Sequence, residues 1–310
     1  MAKHRLDPAP DTVTDVFSRD RPPVLTVDPG DTVVVHSLDC SGHTASVRTA
    51  GEQPPVLIGD SRGHCLAGPI AVRGAEPGTA LAVSLTAIRP DDWGWTVAAA
   101  RDTPLNRRLG LVDATAFRLL WDLDAENETG TNQLGMTIGL APFLGVVGLP
   151  PAEPGEHSTI PPRTFGGGNI DCRELTAGST LYLPVTVPGA LLCVGDGHAA
   201  QGDGEVSGTA VECGMTTEMV LDVVARPALP TVHALTPTSR ITFGFDADLN
   251  VAMGDALDAM LDWMQQLFGL DRAPVLALAS STVDLRVTQV ANQSWGVHAV
   301  LPRDVIRTAA

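Results

Sequence analysis

The chain is 310 residues long, enough for one large domain or two modest ones, and its 44% hydrophobic content excludes a disordered polymer. Thirty-six acidic against 20 basic residues give a net charge of −16, so phosphate backbones and anionic membrane surfaces are repelled and nucleic acid is not a partner. The only lysine is Lys3, in an N-terminal stretch (residues 1–22) that reads as a fraying tail or arm. That removes Schiff-base and PLP chemistry, the P-loop, and the Ser–Ser–Lys and Cys–Glu–Lys routes to amide cleavage.

Glycine (31) and proline (24) are abundant, and short Val/Leu/Thr runs lie between their clusters, which predicts a mostly β protein rich in turns. From residue 23, VLTVDPGDTVVVHSLD alternates apolar and polar residues around a Pro-Gly turn and predicts a half-buried strand pair. GPIAVRGAEPGTALAVSLTAI repeats the device around Glu-Pro-Gly. Residues 101 to 160 are less regular, and Pro142 and Pro150 forbid a long helix there. A dense block from Ile160 to Val224 supplies strands LYLPVTV, ALLCVG and EMVLDVV. After Pro230 the texture changes. Val251, Leu257, Met260, Leu261, Met264, Leu267 and Phe268 fall three and four apart, as one apolar helix face requires, with Asp255, Asp258 and Asp262 on a solvated opposite face. STVDLRVTQVANQSWGVHAVLP then reads as a closing strand pair. The expected organisation is a tail (1–22), a β-rich unit (23–230) and an α+β part (231–310) packed on it.

Five widely spaced cysteines without a CxxC pair read as buried reduced thiols of a cytoplasmic protein. No segment reaches the roughly 18 consecutive apolar residues of a membrane span, and no hydrophobic leader opens the chain.

Chemistry concentrates in Gly195-Asp196-Gly197-His198-Ala199-Ala200-Gln201-Gly202-Asp203-Gly204-Glu205, directly after an apolar strand. Asp196 and His198 are two apart, so on an extended backbone they project to one side, within reach of a single cation. Imidazole plus carboxylates suits zinc or a similar divalent metal. The interleaved glycines read as clearing space around such an ion. Upstream, Gly166-Gly167-Gly168-Asn169-Ile170-Asp171 taken alone reads as a surface loop, and Asp39 ends a strand in HSLDC. His36 reads as structural, and His43 and His64 lie in nearby loops, read as more often outside the site than in it.

SLDC, GPIAVRGAEPGTALAV, FLGVVGLPP, TIPPRTFGGGNIDC, LYLPVTVPGALLCVGDGHAAQGDGEVSGTAVE and SSTVDLRVTQVAN, in that order from about residue 23 to 302, resemble the acetamidase/formamidase family. The resemblance implies a jelly-roll-like β-sandwich with a C-terminal α+β part and hydrolysis of a short aliphatic amide to ammonia and a carboxylate. It also implies a bound metal, zinc and in some members calcium, and a homodimer or larger assembly. It carries over Asp39, Asn169, Asp171, Asp196, His198, Asp203 and Glu205. On that basis Asp171, Asp196 and His198 are the expected metal ligands, with Asp39 or Asp203 completing the set. Glu205 is the expected general base and acid, and Asn169 the donor to the substrate amide or its oxyanion. Ile170 stands where the family usually has Met, and Arg173 where lysine is common. A serine mechanism built on Ser158, Ser280 or Ser281 lacks a GxSxG elbow, and adjacent His157 and Ser158 point apart on a strand. A cysteine nucleophile at Cys172 would need a histidine that the spacing does not reveal. The competing functions are action on a small lactam and a non-catalytic metal- or small-molecule-binding sandwich. Phe143, Leu149 and Trp295 are the pocket candidates.

Overall fold

The computed structural model describes residues 1–49, 51–98 and 102–307. Alternation sets the architecture. In strand Asp31–Ser37, Val33 and Val35 are buried while Thr32, Val34 and His36 are half-buried, the pattern of a sheet with one face on a core. Leu81, Val83 and Leu85 on strand Ala80–Pro90, and Met219 and Leu221 on strand Met215–Val224, extend the same face. Opposite lies a second sheet, whose Ile70, Val72, Leu144, Leu192 and Val194 join them in one apolar cluster. Two β-sheets packed face to face on a shared core make the molecule a mostly β sandwich with late helices, as expected.

The predicted strands form, but their pairing differs from a series of hairpins. Leu25–Val27 and Asp31–Ser37 flank the first Pro-Gly turn, yet the former pairs with Leu66–Val72 in one sheet and the latter with Met215–Val224 in the other. Leu66–Val72 and Ala80–Pro90 divide between the sheets in the same way. Both turns therefore cross the core from sheet to sheet. Local periodicity specifies which face of a strand is buried, and it is blind to which neighbour supplies the hydrogen bonds.

The N-terminal tail does not fray. Lys3–Leu6 is an edge strand running parallel to Asp31–Ser37, and the exposed Lys3 ammonium pairs with Glu218 at 2.6 Å. The chain's one lysine is thus held at the protein surface.

At the other end, Ser239–Asp246, Trp295–Pro302 and Asp284–Gln289 continue the nine-stranded sheet, the last two as the expected closing pair. Helix Leu249–Phe268 begins at Asp248, whose side chain accepts from the Asn250 N–H, and ends at Gly269 in the left-handed conformation. It buries Ala252, Ala256, Met260, Leu261 and Met264 on this sheet, while Val251 and Leu267 of the predicted face stay substantially exposed. Asp258 and Asp262 pair with Arg272, which opens a second helix, Arg272–Thr282, that the apolar spacing did not reveal. Among the described residues no helix is long and apolar enough to cross a membrane.

Helix and sheet meet at backbone distance over Gly244, where an added Cβ would lie 2.7 Å from the Ala256 nitrogen. Gly244→Val is therefore expected to lower unfolding free energy by about 1–3 kcal/mol through overpacking, measured by urea denaturation. An unchanged midpoint would contradict this packing.

Candidate metal and active site

Strand Leu192–His198 runs through the middle of the second sheet, and every one of its residues is buried. It pairs with Phe143–Gly148 on one side and with Leu66–Val72 and then Glu212–Cys213 on the other. That register sets His198 opposite Glu212, and the His198 Nε2 lies 3.5 Å from both Glu212 Oε2 and Asp196 Oδ2. Asp171 arrives from another element. After strand Gly167–Asn169 the chain turns, and the N–H groups of Ile170 and Asp171 both donate to the Gly145 carbonyl, at 2.9 and 3.2 Å. Glu205 comes on the loop after His198, held by reciprocal backbone bonds of Gly204 to Thr288 and Val290 of the closing strand region.

The donor atoms of Asp171, Asp196 and His198 lie within 4.8 Å of one another, as do those of His198, Glu205 and Glu212, and of Cys40, Asp196 and Glu212. Both Asp171 oxygens, His198 Nε2, Glu205 Oε2 and Glu212 Oε2 are buried without a hydrogen-bond partner. Leaving one such group unmet costs about 1–3 kcal/mol, and more when it is charged. Convergent orphan atoms on carboxylates and an imidazole are the kind of donor a divalent metal takes, and Asp171, Asp196 and His198 alone supply three, so the residues present fit one.

His198 is prepared for this role. Its Nδ1–H donates to Gln201 Oε1 at 2.8 Å, and the Gln201 amide donates to the Asp171 carbonyl, also at 2.8 Å. The outer nitrogen is thereby engaged, and Nε2 faces the carboxylates. Phe143 packs edge-on against the imidazole, with ring centroids 5.1 Å apart.

Proton affinities follow the crowding. Burial, with repulsion from Asp196 and Glu212 added, raises the Asp171 carboxyl to about 8. Burial and the neighbouring Asp171 likewise push Glu205 far above the ordinary carboxylate range. Burial alone would lower His198, but the Glu212 and Asp196 carboxylates outweigh it and hold the imidazole protonated. For Asp196 the imidazoles of His64 and His198 outweigh burial and keep it ionised. Without a metal, protons do the neutralising.

The glycines read as clearing space act elsewhere. A Cβ on Gly195 would strike the Cys65 carbonyl, and one on Gly197 would strike Met215, so both permit close strand packing. The glycine facing the donors is Gly145, where a Cβ would come within 2.6 Å of Asp196 Oδ2 and 2.7 Å of Asp171 Oδ1. Sequence reasoning missed it, along with Glu212, Gln201 and Cys40. His64 does reach the site, with its Nε2 3.8 Å from Asp196 Oδ2.

Two expected ligands lie outside the converging donors. Asp39 is buried, but its carboxylate accepts from the His43 backbone N–H and from Trp95 Nε1, each at 2.8 Å, and contacts His43 Nδ1 at 2.7 Å. Its oxygens are therefore already engaged. Asp203 is exposed on its loop. Asn169 donates to the Ile160 carbonyl at 3.0 Å and keeps its own Oδ1 unpartnered. His36 pairs with Asp91 away from the cluster, and Ser281 bonds within its helix. A cleft of about 410 Å³ adjoins the site, lined by Trp121, Ile138, Gln201, Asp203, Glu205 and Val211. Of the pocket candidates, Phe143 packs at the site, Leu149 lies in the core, and Trp295 is half-buried on the closing strand.

The family model described as Acetamidase/Formamidase family matches residues 3–157 and 153–229. An acetamidase of Mycolicibacterium smegmatis is 29% identical over 221 residues, 52% of this chain and 53% of that one. A formamidase of Methylophilus methylotrophus is 27% identical over 241 residues, 61% of this chain and 58% of that one. The matched stretches thus span little more than half of these two curated relatives. The crystal structure of an acetamidase from Bacillus halodurans superposes with a TM-score of 0.86 at 27% identity, covering 96% of this chain and 97% of that one.

Two outcomes test the site. Gly145→Ala is expected to abolish retention of a divalent metal, as judged by elemental analysis, while the far-ultraviolet circular dichroism stays native. In metal-free protein, raised Asp171 and His198 mean that the folded state binds more protons than the unfolded, so stability falls as pH rises from about 5 to 8. Metal displaces those protons, so the Tm gain on adding Zn²⁺ should widen over the same range. A gain that shrinks with pH would contradict the cluster's role.

Proposed function

Since the chain belongs to the acetamidase/formamidase family, we propose that it hydrolyses a short aliphatic amide, of the formamide and acetamide class, using a zinc ion held by Asp171, Asp196 and His198, with Glu205 as the proton carrier. Family membership makes the protein an amidohydrolase of small linear amides. The observation that carries the finer reading is the set of buried, unpartnered donor atoms beside a cleft. Glu205, one of those donors, also lines the cleft, so the cluster opens onto a space that a small substrate can occupy.

An amide resists water because its carbonyl is a weak electrophile and its nitrogen a poor leaving group. A divalent ion supplies the answer to the first problem, polarising the carbonyl and making water more acidic. The chain's own groups answer the second. Glu205 is the carboxyl of the cluster that also lines the cleft, and its burial, with the neighbouring Asp171 added, gives it the high proton affinity of a group that takes a proton from water and returns it to the departing nitrogen. Gln201 keeps His198 in the tautomer that offers Nε2 inward. Trp121, Ile138 and Val211 give the cleft an apolar wall against a short acyl chain. In this reading Asn169, whose Oδ1 is buried and without a partner, serves as an acceptor for the amide N–H. The five free cysteines suit a reducing compartment, in keeping with a cytoplasmic enzyme.

Glu205→Gln is expected to lower kcat for ammonia release from formamide or acetamide by about 10²–10⁴-fold with bound metal unchanged. Chelation of the wild type should abolish release, and zinc should restore it. Full activity in either the variant or the chelated enzyme would refute the mechanism, and no release from any short amide would refute the substrate class.

A further inference from the structure

A second cluster of ligating groups lies outside the site described above. Cys172 and Glu174 follow Asp171 in the chain, and His298 sits on the closing strand Trp295–Pro302, where its side chain is completely buried. Their donor atoms all lie within 4.8 Å of one another. The thiol of Cys172 donates to Glu174 Oε2 at 3.2 Å, and His298 Nε2 stands 3.3 Å from the same oxygen. The other Glu174 oxygen is engaged by Arg286 at 2.8 Å, which fixes the carboxylate's direction.

The histidine provides the second, independent observation. Its Nδ1 is engaged by Thr288 Oγ1 at 2.8 Å, while Nε2, aimed into the cluster, has no hydrogen-bond partner. We propose that Cys172, Glu174 and His298 form a second binding site for a zinc-class divalent metal, separate from the Asp171–Asp196–His198 centre. Zinc lies about 2.3 Å from sulfur and 2.0–2.2 Å from nitrogen and oxygen, so a tetrahedron sets its ligand atoms about 3.3–3.7 Å apart. The His298–Glu174 separation of 3.3 Å already falls in that range, and the Cys172–Glu174 separation of 3.2 Å lies just below it, so the thiol needs to withdraw only by a few tenths of an ångström. A sulfur donor excludes calcium and magnesium, which take oxygen. Metal entry displaces the Cys172 thiol proton to solvent, leaving a thiolate ligand. Part of Glu174 is exposed, giving the ion a route in and leaving a fourth position for water.

Such an ion would clip the segment bearing Asp171 to the closing strands, which also hold the Glu205 loop. It would act as a positioning element and take no part in bond cleavage. The inference does not depend on the amidase reading, because its test measures the metal and not turnover.

The test uses full-length protein and cobalt as the probe. His198→Ala empties the first centre, and the variant is expected to bind one equivalent of Co²⁺ with a thiolate-to-cobalt charge-transfer absorption. Adding Cys172→Ser or His298→Gln should abolish that absorption, whereas adding Cys40→Ser, which removes the thiol near the first centre, should leave it intact. Absorption that survives Cys172→Ser, or disappears with Cys40→Ser, overturns the proposal. Should those variants fail to fold, X-ray absorption on the Cys40→Ser protein loaded with two equivalents of zinc decides the matter. Sulfur in the coordination shell supports the site, and its absence refutes it.

Discussion

Four carboxylates and one imidazole buried at the centre of a sheet form the constraint around which the rest of this molecule is arranged. Like charges at such separations in a poorly solvated interior cannot all remain ionised, so they share protons or hold a cation. Asp171, Asp196 and Glu205 all adopt left-handed backbone conformations, with φ of 54°, 57° and 44°. A residue with a Cβ avoids that region unless its surroundings hold it there, at roughly 1–3 kcal/mol each. Three strained residues meeting in one cluster indicate that the fold aims these side chains inward against local preference. The sandwich supplies the rigidity for this, because its central strands are paired on both edges and covered on both faces.

The closing strands extend the first sheet, and Thr288 on one of them accepts from Gly204 in the loop that carries Glu205, which follows the second sheet's central strand. Gln201 bridges His198 to the Asp171 backbone and lies 3.5 Å from the Thr288 carbonyl. The α+β part therefore reaches the candidate site through backbone hydrogen bonds. Its helices stay outside, packed on the sheet face through small residues such as Ala252 and Ala256.

How much of this was legible in the sequence depended on whether the signal was local. Asp196 and His198 share a strand, so their spacing of two predicted a common side and the structure places them so. Asp171 and Glu205 were carried by resemblance to a family, since nothing about GGGNID alone distinguishes a buried turn from a surface loop. Glu212 was missed because it enters by cross-strand register with His198, a relation no window of sequence displays. Cys172 and His298 are 126 residues apart by number, and only the closing strand brings them together. The tail at Lys3 misled for the opposite reason. Its few residues offer little periodicity, and its order comes from the exposed edge of Asp31–Ser37 that it covers.

Division of labour within the cleft follows from the same asymmetry. An apolar wall can distinguish one methylene from another by only about 1–3 kcal/mol, so under the proposed function Trp121, Ile138 and Val211 would grade short acyl chains without sharply excluding neighbours in a series. A buried polar group left unmet by the wrong ligand discriminates far more strongly, by leaving donors or acceptors orphaned. Of the residues lining the cleft, Glu205 carries a buried unpartnered atom, with those of Asp171 and Glu212 in the cluster behind it. Under the proposed mechanism, selectivity for an amide over other small polar molecules would reside at the acidic end, and selectivity for chain length at the apolar end. Changes of acyl preference within such a scaffold can accumulate along the wall without disturbing the buried charges that fix its chemistry.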